Sequence, residues 1–430
     1  MRWKDSPRAV LFGLLVVHVL AHIDRNMLLG FSPQITKDLA LNNAQYGFLA
    51  GAVWVLSFGV MALFMGSLAD RFSRTRVMAA GILIWSACTA ASGAAQSFEQ
   101  MVAARFLVAS GEAALVPAAV SLLMEIFKPE RRGSAAGVFF MGIPLGIGLS
   151  FLLAGTLGVT QGWRGTFWQL GVIGVAIALP MLLLQDRRDV PARPGEPGAS
   201  GDVERGAPFL QQMRNLLAAL RGNPQVMLTI VGFVLVHMVF AGLSFAQLWL
   251  VRERGFDAAG IARQIGGLQI VFGVLGSVVG GVLSDRLARR LPGGHAGFLV
   301  LLVALCGPLM VAYRFAPAGS ALFYVGMCAG FFLPLATYGP ALALIQGRTP
   351  IRMRSTVTGF TMLAINIFAI AIGNALAGAV SDRLGAAGSA HPLTTVLLAT
   401  DILAIAGAVF FVLAARGPRL EAAPMPVVAH

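Results

Sequence analysis

Four side chains in the first third of this 430-residue chain carry charge where the surrounding sequence carries almost none. Asp24 and Arg25 interrupt an apolar run centred near Val19, and Arg105 and Glu112 interrupt another centred near Val116. At the centre of a bilayer each would cost on the order of 3 kcal/mol if it faced lipid, so such groups turn inward, find partners and usually serve function. Seven residues of helix place Arg105 and Glu112 on one face, roughly 10 Å apart. On the first run His18, His22 and Arg25 fall within roughly 60° of one another, and Asp24 lies about 100° from Arg25. One stripe is therefore cationic or protonatable, and the carboxyl faces a different neighbour. The chemistry open to such a set is proton exchange, because a guanidinium that moves relative to a buried carboxyl alters that carboxyl's hold on its proton. Asp24 is expected either to pair with Arg105 or to take part in a proton-dependent exchange with Glu112. A static network that merely fixes helix register is the alternative, although an apolar seam would do that at lower cost.

The elements that must position these groups are legible from composition. Hydrophobic residues make up 57% of the chain and charged residues 12%, with mean hydropathy +0.78, more apolar content than one soluble core could bury. Runs of the roughly 20 residues needed to cross hydrocarbon centre near Val19, Val55, Ile84, Val116, Leu149, Ile173, Val236, Val274, Val303, Ala329, Ile370 and Ile405. Gly66-Ser67-Leu68-Ala69-Asp70-Arg71 returns as Gly281-Val282-Leu283-Ser284-Asp285-Arg286, 215 positions later. A repeat of half the chain length marks two copies of one membrane unit. The expected fold is an all-α membrane protein of twelve transmembrane helices in two pseudo-symmetric six-helix bundles. Residues 1–184 form the first bundle, 185–223 a cytoplasmic linker, 224–416 the second bundle and 417–430 a cytoplasmic tail. Within the linker, 209–220 reads as a short amphipathic surface helix.

The net charge of +13 is explained by its distribution, not by a nucleic-acid partner. With the N-terminus cytoplasmic, 23 of the 32 Lys and Arg fall on that side and seven on the other, Arg314 among them; Arg25 and Arg105 lie within helices. This asymmetry puts both termini in the cytoplasm. The first run keeps His18, His22, Asp24 and Arg25 and has no clean cleavage site, so it is a retained helix. Cys88, Cys306 and Cys328 lie within spans as packing residues, with no disulfide or metal implied. Gly142 and Gly146 around Pro144, and Gly276 with Gly280, have the spacing of close helix contacts. Abundant Ala, Gly and Arg with little Lys points to a bacterial inner membrane.

The second half keeps the scaffold without the charge. A slide of 215 positions sets His22 on His237, but Asp24 on Val239 and Arg25 on Phe240. His237, Ser244, Gln247, Tyr338, Asn366 and Asn374 remain as groups that can hydrogen-bond a substrate or a neighbouring helix. His22, Arg25, His237, Ser244, Gln247, Tyr338 and Asn366 are taken as the substrate-contacting set.

Gly66-x-Leu68-Ala69-Asp70-Arg71-x-Ser73-Arg74 resembles the signature loop of the major facilitator superfamily, and Gly142-Ile143-Pro144-Leu145-Gly146 a second motif of that superfamily. Finer features resemble its spinster branch: His22-Ile23-Asp24-Arg25, Gly111-Glu112-Ala113-Ala114 with Pro117-Ala118-Ala119, Phe127-Lys128-Pro129-Glu130-Arg131-Arg132-Gly133, and Gly162-Trp163-Arg164. The anion:cation symporter branch is similar in its Asp-Arg pair. His22 departs from the tyrosine common in both. The resemblance implies Asp24 and Glu112 as protonation sites, with Arg25 and Arg105 as charge partners. It also implies a gate of Gly66, Asp70, Arg71, Arg74 and Glu125, in which Asp70 meets the start of the eleventh helix and Arg71 or Arg74 pairs with Glu125. Asp285 and Arg286 would be its weaker counterpart.

The expectation is a monomeric, proton-coupled secondary transporter with no cofactor beyond protons, moving a lysolipid-like or small organic anion by alternating access. The buried Arg25 supplies the fixed positive charge. An organic-acid importer and an uncoupled facilitator are the alternatives within transport. An enzyme would need a nucleophile or metal set that the spacing lacks, and a sensor an added soluble domain.

Overall fold

The computed structural model describes residues 6–71, 73–182, 214, 216, 218, 220–350 and 353–416, with the side chains of 62–64, 66–71, 129–130 and 355 outside the description. The described residues are helical almost throughout, and no strand occurs among them. Among the described residues, eleven helical runs are long and apolar enough to span a membrane: α1 (Pro7–Gly30), α2 (Asn43–Met61), α3 (Arg74–Ala94), α4 (Phe98–Ile126), the run Arg131–Leu182, α7 (Pro224–Arg252), α8 (Ala258–Ala288), α9 (His295–Phe315), α10 (Ala321–Gly347), α11 (Thr356–Ala386) and α12 (Pro392–Ala415). Gly162, at φ 67° and ψ 176°, breaks the long run. That left-handed backbone suits glycine alone among common residues. The arms α5 (131–161) and α6 (163–182) bring the spans to twelve, in two groups of six.

Local chemistry sets where several spans begin. At α2 the Asn42 side chain accepts from Gln45 N while the Gln45 side chain accepts from Asn42 N, a reciprocal cap. Ser97, Asp257 and Ser320 cap α4, α8 and α10 in the same way at one amide each. Pro7, Pro224 and Pro392 open α1, α7 and α12, where the missing N–H costs nothing. Phe12, Val172, Leu305, Phe368 and Val409 are each more than half exposed, an apolar belt that suits lipid and not water.

Close helix approaches are made at glycine. A methyl on Gly142 would meet the His18 ring, and one on Gly146 the body of His22, so α5 lies directly against α1. Gly276 and Gly280 set α8 against Phe332 and Ala336 of α10. The expected small-residue contacts are thus the seams along which α5 and α8 pack within their bundles. The repeated hexapeptides end the helix Val53–Arg71, which continues α2, and α8, at equivalent places in the two halves. Of the linker, 185–213, 215, 217 and 219 lie outside the described residues, and with them most of the expected surface helix 209–220. Leu216 and Leu220 are buried with Val226, Ile230, Ile345 and Val357 on the second bundle.

The chain enters α1 and leaves α12 on one face, here the near face; α1 hands over to α2 on the opposite, far face. Seven hydrogen bonds among the described residues join the bundles toward the far face, from Asn43, Ala44 and Tyr46 on α2, Arg252 on α7 and Arg263 on α8.

Candidate functional site

Between the bundles lies a cavity of about 190 Å³. Its first-bundle wall carries His22, Arg25 and Asn26 of α1, Trp54 of α2 and Arg105 of α4, and its second-bundle wall carries Phe240 and Ser244 of α7, Gln269 of α8, Tyr338 of α10 and Asn366 of α11. Apolar residues, among them Ile143, Ile147, Phe151, Ile265 and Phe331, fill the rest. Such a chamber suits a cargo with an apolar body and few polar points.

The charged groups divide their work differently from the sequence expectation. Arg105 does not pair with the carboxylate of Asp24; its Nη1 and Nη2 donate to the main-chain carbonyls of Asp24, at 3.0 Å, and of Arg25, at 2.7 Å. A planar fork of donors matches two successive carbonyls, so Arg105 ties α4 to the α1 backbone. Arg25 instead lies with its guanidinium carbon 3.4 Å from the centre of the Trp54 ring, a contact worth up to about 2 kcal/mol when shielded from water. It makes no hydrogen bond or ion pair among the described residues. Trp54 in turn donates from Nε1 to Glu112 Oε2 at 2.8 Å and stacks on Phe58. Arg25 and Glu112 are thus linked through an indole that the sequence reading passed over, its one signal being a Trp in mid-span.

Asp24 stands behind the cavity wall. It is fully buried, and its carboxyl faces the indole Nε1 of Trp85 and the hydroxyl of Thr89 on α3, the two donors beside it. Glu112 is also off the wall; its Oε1 is buried without a partner, and the helix breaks immediately after it at Ala113 and Ala114.

Of the expected substrate set, His22, Arg25, Ser244, Tyr338 and Asn366 line the cavity. His237 does not: its ring is buried against Phe233, Phe240 and Tyr338, with Nδ1 2.7 Å from the Phe233 carbonyl. The helix turns at Met238, which sets the histidine behind Tyr338. Gln247 is also off the wall, donating to the Ala258 carbonyl at the start of α8. Gln269 was missed, yet it is 4% exposed, lines the cavity and makes no hydrogen bond among the described residues. Its apolar neighbours in sequence gave no charge signal to find it by.

Of the expected gate residues, the side chains of Gly66, Asp70 and Arg71 lie outside the described residues. Arg74 pairs with Glu125 and donates to Ser121 Oγ at 3.0 Å. Asp285 is exposed and faces His295 at 3.7 Å, and Arg286 is exposed. Arg314, assigned above to a far-side loop, is instead buried: its Nε and Nη2 reach Asp401 at 2.8 and 3.3 Å between α9 and α12, and its guanidinium faces Tyr313 and Trp249. A charge at the edge of an apolar run is drawn inward when a partner waits there. No group of three metal-ligating side chains occurs among the described residues.

The sequence profile of the Major Facilitator Superfamily matches residues 14–373. The chain belongs to that superfamily. This facilitator is a multi-pass membrane transporter of spinster-like character. It is 28% identical to an MFS-type efflux pump of Mycolicibacterium smegmatis over 97% of this chain and 95% of that protein. It is also 28% identical to protein spinster of Drosophila melanogaster over 86% of this chain, which spans 61% of that longer protein. Its fold is that of a bacterial homologue of the human lysosomal transporter Spinster, solved in an inward-facing, unoccupied conformation, with TM-score 0.81 and 23% identity over 97% and 98% of the two chains.

Proposed function

We propose that this facilitator is a proton-coupled secondary transporter of an amphiphilic or organic anion, working by alternating access from a bacterial inner membrane with both termini cytoplasmic. The observation that carries the reading is Arg25: a guanidinium on the cavity wall, held over Trp54 and without a hydrogen-bonding partner among the described residues. Its donors are fixed in charge and geometry and match a carboxylate or phosphate edge. Gln269, Tyr338 and Asn366 face it from the other bundle with groups that can donate and accept, and the apolar walls accommodate a hydrocarbon portion.

Asp24 and Glu112 are the proposed proton sites. Both are buried behind the wall, Glu112 with Oε1 unpartnered among the described residues, and both adjoin the α1–Arg105–Trp54 assembly that positions Arg25. A movement of α1 or α2 that repositions Arg25 alters the field at both carboxyls, which couples anion release to proton exchange. Positive charge concentrated near the near face supports the assignment of that face to the cytoplasm.

Reconstitution in liposomes with a panel of organic anions and lysolipids, with and without a pH gradient, tests the reading. Gradient-dependent movement of an anion that is lost in Arg25→Ala, and loses its gradient dependence in Asp24→Asn or Glu112→Gln, is the expected result. Transport at a rate and extent independent of both pH gradient and membrane potential would make the protein an uncoupled facilitator. Retained affinity in Arg25→Ala would remove the anion from this position.

A further inference from the structure

The far seal is built on a third occurrence of the repeated hexapeptide. Gly378-Ala379-Val380-Ser381-Asp382-Arg383, near the end of α11, has the pattern of Gly66 to Arg71 and Gly281 to Arg286. The first two end their helices on the near face, whereas the third ends on the far face. Its aspartate reaches across the bundle interface to the start of α2: Asp382 Oδ1 accepts from Asn43 N at 3.1 Å and Oδ2 from Ala44 N at 2.8 Å.

The first amides of any helix lack partners within it. At α2 the amides of Asn42 and Gln45 are served by their own reciprocal cap, and those of Asn43 and Ala44 are served by Asp382 from the other bundle. The capping of α2 is therefore complete only while the far face is shut. An aspartate there also meets the positive end of the helix dipole. The surroundings support the contact. Ser381 Oγ accepts from Asn43 Nδ2 at 3.0 Å, Arg252 donates to Asn43 Oδ1 and Thr36 Oγ1 at 3.0 and 2.9 Å, and Gly378 is packed so tightly on Asn43 that an added methyl would overlap its backbone. Asp285, by contrast, is exposed and faces His295 of its own bundle.

We propose that Asp382 is the latch of the far gate: it holds this face closed by capping α2, and the face opens in transport by exchanging those two bonds for water. The inference rests on alternating access and not on the nature of the cargo, so it stands or falls apart from the anion reading.

Electron–electron resonance distances in purified, reconstituted protein test it without a substrate. Spin labels at Gln161 and Ala318 report the far face, and labels at Arg131 and Arg290 the near face; all four positions are exposed. Asp382→Asn and Asp382→Ala are expected to raise the population of the longer Gln161–Ala318 distance at least fivefold and to shorten the Arg131–Arg290 distance in the same samples. Asp382→Ser, which keeps one short acceptor of the kind favoured at helix starts, is expected to fall between them and the parent. Loss of packing alone would broaden the far-face distances without the reciprocal near-face change, and would overturn the proposal. Wild-type distributions in monodisperse Asp382→Asn would also overturn it. If neither the Asn nor the Ala variant accumulates, Asp382→Ser against the parent decides by the same criterion.

Discussion

Gly266 on α8 packs against α5 across the bundle interface, and its replacement by alanine measures what closure of the far face is worth. The added Cβ would lie 2.6 Å from the Gly148 carbonyl oxygen and 2.7 Å from both Leu152 N and Leu152 Cγ. Ordinary contact begins at 3.4 Å, so α8 and α5 must separate by about 0.8 Å, and two of the three obstructing atoms are backbone and cannot rotate aside. Overpacking of this kind costs about 1–3 kcal/mol. If the two helices part on this side when the far face opens, the cost falls on the closed state alone. The closed-to-open ratio then drops roughly five- to 150-fold. The assay is the Gln161–Ala318 distance distribution together with the thermal midpoint of the purified protein. A longer distance with a little-changed midpoint is expected. A lowered midpoint with an unchanged distance would show that α5 and α8 stay packed through the cycle, and would refute the reasoning.

Arg25→Lys is expected to weaken binding of the transported anion at least tenfold while leaving the fold intact, because a point charge does not replace a planar fork of donors over Trp54; direct binding to the purified variant checks this. Trp54→Phe keeps a ring beneath Arg25 but removes the donor to Glu112 Oε2, so the pH dependence of transport should shift while affinity at saturating pH stays within about threefold, a split that initial-rate measurements in liposomes resolve. Asp401→Asn leaves Arg314 buried without its counter-charge and should destabilise the protein by about 3–5 kcal/mol, whereas Arg314→Met with Asp401→Leu should recover most of that. Denaturation in detergent compares the two, and equal losses would show that the pair is not the source of the effect.

Apolar run length, the half-chain repeat and the hexapeptide at Gly66 and Gly281 were enough to state twelve helices in two bundles, because a bilayer allows few ways to satisfy a backbone and charges its elements by length. The same logic singled out Asp24, Arg25, Arg105 and Glu112, since a charge inside an apolar run is an anomaly in any context. What each charge does is another matter, because partners come from helices far apart in sequence. Arg105 meets α1 carbonyls 80 and 81 positions away, Arg314 meets Asp401 across 87, and a backbone carbonyl leaves no mark in a sequence to say that it will be gripped. Gln269 and Trp54 were invisible for the related reason that a neutral polar or aromatic side chain in a span is ordinary until the cavity is seen. The far seal needed both levels: Gly378 to Arg383 carries the pattern in the sequence, but only the packing of α11 against α2 puts Asp382 within reach of the two amides that the α2 cap leaves unserved. Sequence determines which groups must avoid lipid, by their individual solvation; tertiary structure decides whom they meet, because that depends on the register and crossing of helices that no single segment contains.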